Sequence, residues 1–184
     1  LEPLKIGKLL DYKPDKYQDF KDIYINEPIR YGNLKYHGVT PCNAEIIFEK
    51  KLNFITSNQD FYIRNHHPVP KIDIDYLDYE IELINNKKTF KIKELIDKFK
   101  VHNKIVTLQC GGNRRNQLNK IEKTNGTSWE VGAISTAEWT GIKLSNLLQD
   151  IPINKEKFVN FTSIDGLKVS IPISKALDPN QDVL

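Results

Sequence analysis

A β-rich run, "KIVTLQC" (104–110), ends at a cysteine and gives way at once to "GGNRRNQ" (111–117). Such a run predicts a strand, and a strand needs a sheet. Two adjacent glycines then release the backbone into a loop, because glycine adopts conformations that other residues avoid. The chain must therefore build a sheet that delivers Cys110 to a loop carrying Arg114 and Arg115. Further strands are legible nearby. "YEIELI" (79–84) alternates with period two, "NNKK" (85–88) is a turn, and "TFKI" (89–92) returns. "FVNFTSI" (158–164) and "KVSIPI" (168–173) flank an Asp-Gly turn at 165–166. Ile92, Leu95, Ile96 and Phe99 recur at helical spacing, which predicts a short amphipathic helix over 91–99. Ser174 is expected to cap a helix opening at "SKAL" (174–177). The fold class that follows is α+β, with mixed or mostly antiparallel sheets and short helices.

At 184 residues and 39% hydrophobic, the chain is long enough for one domain with its own core. The regular pattern begins near residue 60. Residues 1–45, with prolines at 3, 14, 28 and 41, read as an extended arm with little regular structure. A net charge of +3, evenly spread, does not point to nucleic acid. No run of 18 apolar residues suggests a membrane span. Methionine is absent and residue 1 is leucine, so the chain reads as an internal or trimmed piece whose missing parts are to be expected.

Lysines number 23 but arginines only four: Arg30, Arg64, Arg114 and Arg115. Where lysine supplies ordinary surface charge, an arginine marks a need for a planar, permanently charged fork. Three of the four lie in two short stretches. In the first, Cys110 is either a thiolate in an anion-binding loop or a buried cysteine at a strand end. The second, "FYIRNHHPVP" (61–70), sets Arg64, Asn65, His66 and His67 between aromatics and prolines. Proline holds such a path extended. Neighbouring histidines on a strand point to opposite sides, which favours an anion or cofactor site over a His–His metal site. A polar loop packed on the domain is the alternative. A third stretch, "SWEVGAISTAEW" (128–139), has Trp129 and Trp139 framing a turn of small hydroxyl residues, suited to phosphate or pterin contacts or simply to tight packing. Cys42 and Cys110 are too few for a disulfide scaffold, a single bridge being the alternative to two free thiols. No Cys or His pairs stand at zinc-finger spacing. The sequons at Asn125 and Asn160 are discounted, as chance matches in an asparagine-rich chain.

Taken together and in order, "FYIRNHHPVP", "TLQCGGNRR" and "SWEVGAISTAEWTG" resemble the molybdenum-cofactor domain of sulfite oxidases, the family that includes eukaryotic assimilatory nitrate reductases. The resemblance extends upstream to "EPIRYGNLKYHGVTPCNAE" (27–45) and downstream to "FTSID" (161–165) and "ALDPNQDVL" (176–184). It implies that Cys110 binds molybdenum beside the two dithiolene sulfurs of one molybdopterin. It implies that Tyr62, Ile63, Arg64, Asn65 and His66 wrap the pterin and that Asp165 holds the cofactor. Arg64 and Arg115 are implied to face an oxyanion pocket and to act with Cys110 in catalysis. The implied reaction is oxidation of sulfite to sulfate by oxygen-atom transfer at the molybdenum–molybdopterin centre. The chain departs from the family at Asn125, where a lysine is common in sulfite oxidases, and at Gly111, where alanine is usual. The first departure leaves nitrate as the alternative substrate.

The segment "LEPLKIGKL" resembles the tail of a b-type haem domain and hinge. The resemblance thus implies a hinge and arm over 1–45 after a haem domain, and the molybdopterin domain, truncated, over 46–184. It also implies cytochrome c as electron acceptor, a homodimer formed through a further C-terminal domain, and the mitochondrial intermembrane space. A haem-free, oxygen-using peroxisomal enzyme is the alternative. Alone, these 184 residues are expected to be inactive. Two readings from other classes remain: a non-catalytic relative that holds an anion, and a metal-free cysteine enzyme, although no histidine lies near Cys110 in sequence to serve as its base.

Overall fold

The computed structural model describes residues 24, 27, 32–38, 40–49, 53–70, 75–78, 80–83, 88–153, 155–181 and 183–184. The chain divides into two compact units. One comprises Leu1–Pro70 with Val106–Ala137, the other Lys71–Ile105 with Glu138–Leu184.

The first unit is built on a three-stranded antiparallel sheet, β1 (Leu34–Tyr36), β2 (Asn43–Ile46) and β3 (Ile63–Arg64), with β2 central. All four residues of β2 are buried. Leu34, Ala44 and Ile46 form the core, with Tyr36 and Ile63 packed against it. Burying an aliphatic side chain of this size stabilises by about 2 kcal/mol. This corrects the expectation of little regular structure before residue 45. The strands there are three and four residues long, too short for an alternation to show, and prolines flank them.

Two longer strands pair, β6 (Val101–Gln109) and β7 (Ile134–Ile142). In the first unit, Thr107 and Thr136 bond through their hydroxyls at 2.7 Å. β7 corrects the expected turn at 132–137. Ser135 and Ala133 are small because they are buried, at 3% and 0% exposure, and not because the chain reverses there. Between these strands lies the loop from Cys110 to Ala133, which holds the one-turn helix α2 (Arg115–Leu118).

The second unit holds the expected hairpin, β4 (Glu80–Leu83) with β5 (Lys88–Lys91), antiparallel; its turn, 84–87, lies outside the described residues. Helix α1 (Ile92–Lys98) follows directly. Glu94 reaches back to accept the Lys91 amide at 2.9 Å, which satisfies one orphan donor of the first turn. Only Leu95 is fully buried, and Ile96, expected in the core, is 41% exposed. β6 starts three residues earlier than expected, since Asn103 is held on it by the Thr140 hydroxyl at 3.0 Å. β8 (Phe158–Thr162) and β9 (Lys168–Pro172) form the second expected hairpin. Short helices α3 (Leu144–Leu148) and α4 (Ile173–Leu177) pack together. Ser174 sits inside α4 and does not cap it. Pro172 precedes the helix, and the Ile173 amide donates to the Lys157 carbonyl at 2.9 Å.

Candidate functional site

β2 positions the arginine stretch. Asn43, 6% exposed, accepts the Asn65 amide at 3.0 Å and the Arg64 Nη1 at 3.3 Å through one carbonyl oxygen. Asn65 donates its side-chain amide to the Cys42 carbonyl at 2.8 Å. Arg64 also donates to the Asn65 carbonyl, so its exposed guanidinium is anchored at the root. Upstream of β3, the Tyr62 amide donates to the buried Ser135 hydroxyl at 3.0 Å and joins this stretch to β7.

The cysteine loop is set by short backbone bonds. The Cys110 amide donates to the Ala133 carbonyl at 2.9 Å, and Asn113 closes the turn on Cys110, also at 2.9 Å. The half-buried thiol accepts the Gly112 amide at 3.4 Å. Arg114 takes a left-handed conformation, φ 69°, and its exposed guanidinium donates to Gln117 at 2.8 Å. Arg115 is placed differently. Its guanidinium lies between Gly112 and Gly126 and donates to the Thr127 carbonyl at 2.9 Å. A Cβ on Gly112 would stand 2.5 Å from Nη1, and one on Gly126 would stand 2.7 Å away. Gly126 is also at φ +109°, which side chains rarely adopt. The two arginines thus differ: Arg114 braces the loop, and Arg115 is a fixed cation inside it.

The opposite arm of the loop carries Trp129, expected only to frame a turn, and it rests on Glu45, which the sequence does not single out. Trp129 is fully buried, and its indole Nε1 finds no hydrogen-bond partner among the described residues. An orphaned buried donor is rare and calls for an acceptor. Glu45, 1% exposed, accepts the Glu130 and Gly132 amides, each at 3.0 Å. Nothing in sequence marks the burial of either: a tryptophan beside a loop looks like packing, and a glutamate in a proline-rich arm looks like surface.

Burial, and then the charge of Cys110, raise the Tyr62 phenol above its ordinary value of 10.0. The two stretches, 48 positions apart, meet at the start of β7, where the Tyr62 amide bonds Ser135 and the Cys110 amide bonds Ala133. The raised value means that folding favours the neutral phenol. Its contribution is fully present below pH 10 and is lost as pH rises through the folded-state value. In an ultraviolet titration, a late ionisation should be lost in Tyr62→Phe; a variant that loses only an ionisation at the ordinary pH would contradict the placement.

His66 and His67 do not point apart. The strand ends at Arg64, and the bend after it brings the two rings to 4.9 Å. No group of three or more His, Cys, Asp or Glu able to hold a metal exists among the described residues, and Cys42 and Cys110 are both free thiols. Asp165 belongs to the second unit. It sits in the β8–β9 turn, where its carboxylate accepts the Ser163 hydroxyl and, at 3.2 Å, the Leu167 amide.

A half-exposed thiol on a glycine loop, with an arginine fixed beside it, can offer a soft sulfur ligand to a metal and a fixed cation to an anion. The chain belongs to the oxidoreductase molybdopterin binding domain family, whose profile matches residues 66–184 and so includes Cys110 and Arg115. It is 34% identical to the mitochondrial sulfite oxidase of Rattus norvegicus over 89% of this chain and 32% of that one. To the sulfite oxidase of Arabidopsis thaliana it is 34% identical over 88% and 46%, and to the NADPH nitrate reductase of Phytophthora infestans 37% over 82% and 18%. The chain therefore spans a third to a half of the length of these sulfite oxidases. The crystal structure of the sulfane dehydrogenase SoxCD of Paracoccus pantotrophus shares the fold, with a TM-score of 0.59 at 16% identity, over 96% of this chain and 46% of that one.

Proposed function

We propose that this chain forms the cofactor-holding part of a sulfite oxidase, converting sulfite and water to sulfate with release of two electrons and two protons. The observation that carries the reading is the convergence, in one unit, of the Cys110 loop, the Tyr62 backbone and the clamped Arg115 guanidinium, joined through Ala133, Ser135 and Gly112. The residues present fit a molybdenum–molybdopterin group. Cys110 offers a soft sulfur ligand, and Gly111 leaves open space beside it. Tyr62, Ile63, Arg64, Asn65 and His66 would line the pterin. Bound there, the molybdenum group supplies two-electron redox chemistry and oxygen transfer. The protein's share is to bind and orient the anion. Arg115 and Arg64 meet its negative oxygens with charge-assisted bonds, and the buried Trp129 N–H is a third donor. Fixing Arg115 beforehand removes most of the reorganisation cost of binding.

For the whole protein we assign cytochrome c as acceptor, a b-type haem domain ahead of the molybdopterin domain, a homodimer, and the mitochondrial intermembrane space. The similarity to mitochondrial sulfite oxidases supports the mitochondrion, and the resemblance of "LEPLKIGKL" to a haem-domain tail and hinge is the ground for the haem domain. No described helix is long and apolar enough to cross a membrane. Nitrate reduction is the second reading, supported by the nitrate reductase relative and by Asn125.

Steady-state assay of the full-length protein with each anion, beside its molybdenum content, tests the choice. Sulfite-dependent reduction of cytochrome c is expected; turnover of nitrate alone would reverse the assignment. Gly112→Ala gives a finer test. The obstructing atoms are the far end of a flexible side chain, so stability should hold within about 1 kcal/mol. The guanidinium must move, and KM for sulfite should rise about tenfold, the weight of one charge-assisted bond. An unchanged KM would remove Arg115 from the pocket.

A further inference from the structure

We infer that Glu45 and His37 form a buried strut that positions Trp129 and Arg115 for anion binding, an inference that rests on the anion pocket proposed above. A carboxylate taken out of water must have its lone pairs met. Glu45 Oε1 accepts the Glu130 amide and Oε2 the Gly132 amide, each at 3.0 Å, while His37 Nε2 stands 2.6 Å from Oε1. One side chain of β2 thus grips the loop on both sides of Val131. The gripped residues pass the constraint on. The Trp129 carbonyl accepts the Asn116 amide at 3.0 Å, and the Glu130 carbonyl accepts the Arg114 amide at 2.6 Å. Arg115 lies between those two donors in sequence. The His37 ring meets the Trp129 indole edge-on, with centroids 5.0 Å apart. The His37 amide donates to the Asn43 carbonyl at 2.8 Å, so the ring's own backbone is fixed to β2. The Lys35–Glu130 ion pair is the other charged contact on this loop; both side chains are nearly half exposed, so it adds little.

Only a carboxylate accepts hydrogen bonds at both ends. Glutamine would set an NH2 group against one of the two loop amides and push the loop off β2. Neither Glu45 nor His37 needs to touch the anion; they are positioning residues.

The test uses the full chain, inorganic sulfate as probe, and the two tryptophan indole N–H signals in heteronuclear NMR, assigned with Trp139→Phe. In the parent chain the Trp129 signal should shift on sulfate titration. Glu45→Gln and His37→Leu should weaken sulfate about tenfold, the size of one lost hydrogen bond. His37→Gln, which keeps a donor facing Glu45, should restore parent-like binding. In the assembled enzyme the same variants should raise KM for sulfite and leave kcat within about twofold. His37 lies at the edge of the core, its side chain 14% exposed, so its two variants decide the matter even where Glu45→Gln does not fold. Parent-like sulfate binding in His37→Leu would overturn the strut and leave the pocket standing. Equal weakening in His37→Leu and His37→Gln would also overturn it, as loss of packing alone. A parent chain whose Trp129 signal ignores sulfate would overturn the pocket and the strut together.

Discussion

Cys110→Ser in the full-length protein is expected to abolish sulfite oxidation while the fold survives. The substitution replaces sulfur by oxygen in a side chain of nearly the same shape. At a half-buried site whose backbone bonds to Ala133 and Asn113 do not involve the side chain, the change should cost less than about 1 kcal/mol. The chemical cost is of another order. A hydroxyl is a hard, weakly acidic ligand, and a thiolate is a soft anionic one. Altering groups that merely support a metal ligand costs about 10–100-fold, and replacing the ligand itself should exceed that range. Turnover and thermal unfolding measured on the same preparation separate the two effects. Near-normal turnover would remove Cys110 from the centre, and unfolding would make it a packing residue after all.

The second large effect is structural. Gly132→Ala should destabilise the full chain by about 3 kcal/mol, at the upper end of what overpacking costs. A Cβ at this position would lie 2.1 Å from the Ile46 carbonyl oxygen and 2.8 Å from the Ile46 nitrogen, all backbone atoms of the central strand. They cannot rotate away as a side-chain tip does. The loop must lift, which breaks the Ile46 amide bond to the Gly132 carbonyl at 3.1 Å and the Gly132 amide bond to Glu45. For a chain of this size the loss corresponds to roughly 6–12 °C in Tm. A Tm within about 2 °C of the parent would show that the loop does not rest on β2 as described. Gly112→Ala makes the contrast, because there the crowded atoms are a side-chain end, that of Arg115, which can turn away by giving up its bond to Thr127.

Residues differ in how far their local pattern betrayed their place. Cys110 was legible because a long β-branched run announces a strand and two glycines announce its end. The hairpins at β4–β5 and β8–β9 were legible for the same reason: period two, then a turn. The central strand β2 was not. Its four residues, "NAEI", are buried on both faces and show no alternation, and two of them are polar. Glu45 and Asn43 owe their burial to partners from residues 64, 65, 130 and 132, which no local window contains. Trp129 was expected to frame a turn that held Ser135; only the pairing of β6 with β7 shows that Ser135 lies in a strand that Trp129 precedes. The resemblance already separated Arg115, implied to face the pocket, from Arg114; what needed the fold was how Arg115 is held, since the glycine at 126 stands 11 residues beyond it. The two histidines were misjudged because the extended path was carried two residues too far.

X-ray absorption at the molybdenum edge of the purified full-length protein tests the central claim most directly. It should report one thiolate sulfur in addition to the dithiolene pair, and Cys110→Ser should lose that one sulfur and keep the pair. An unchanged sulfur count in the variant, or a protein that carries no molybdenum, would contradict the account.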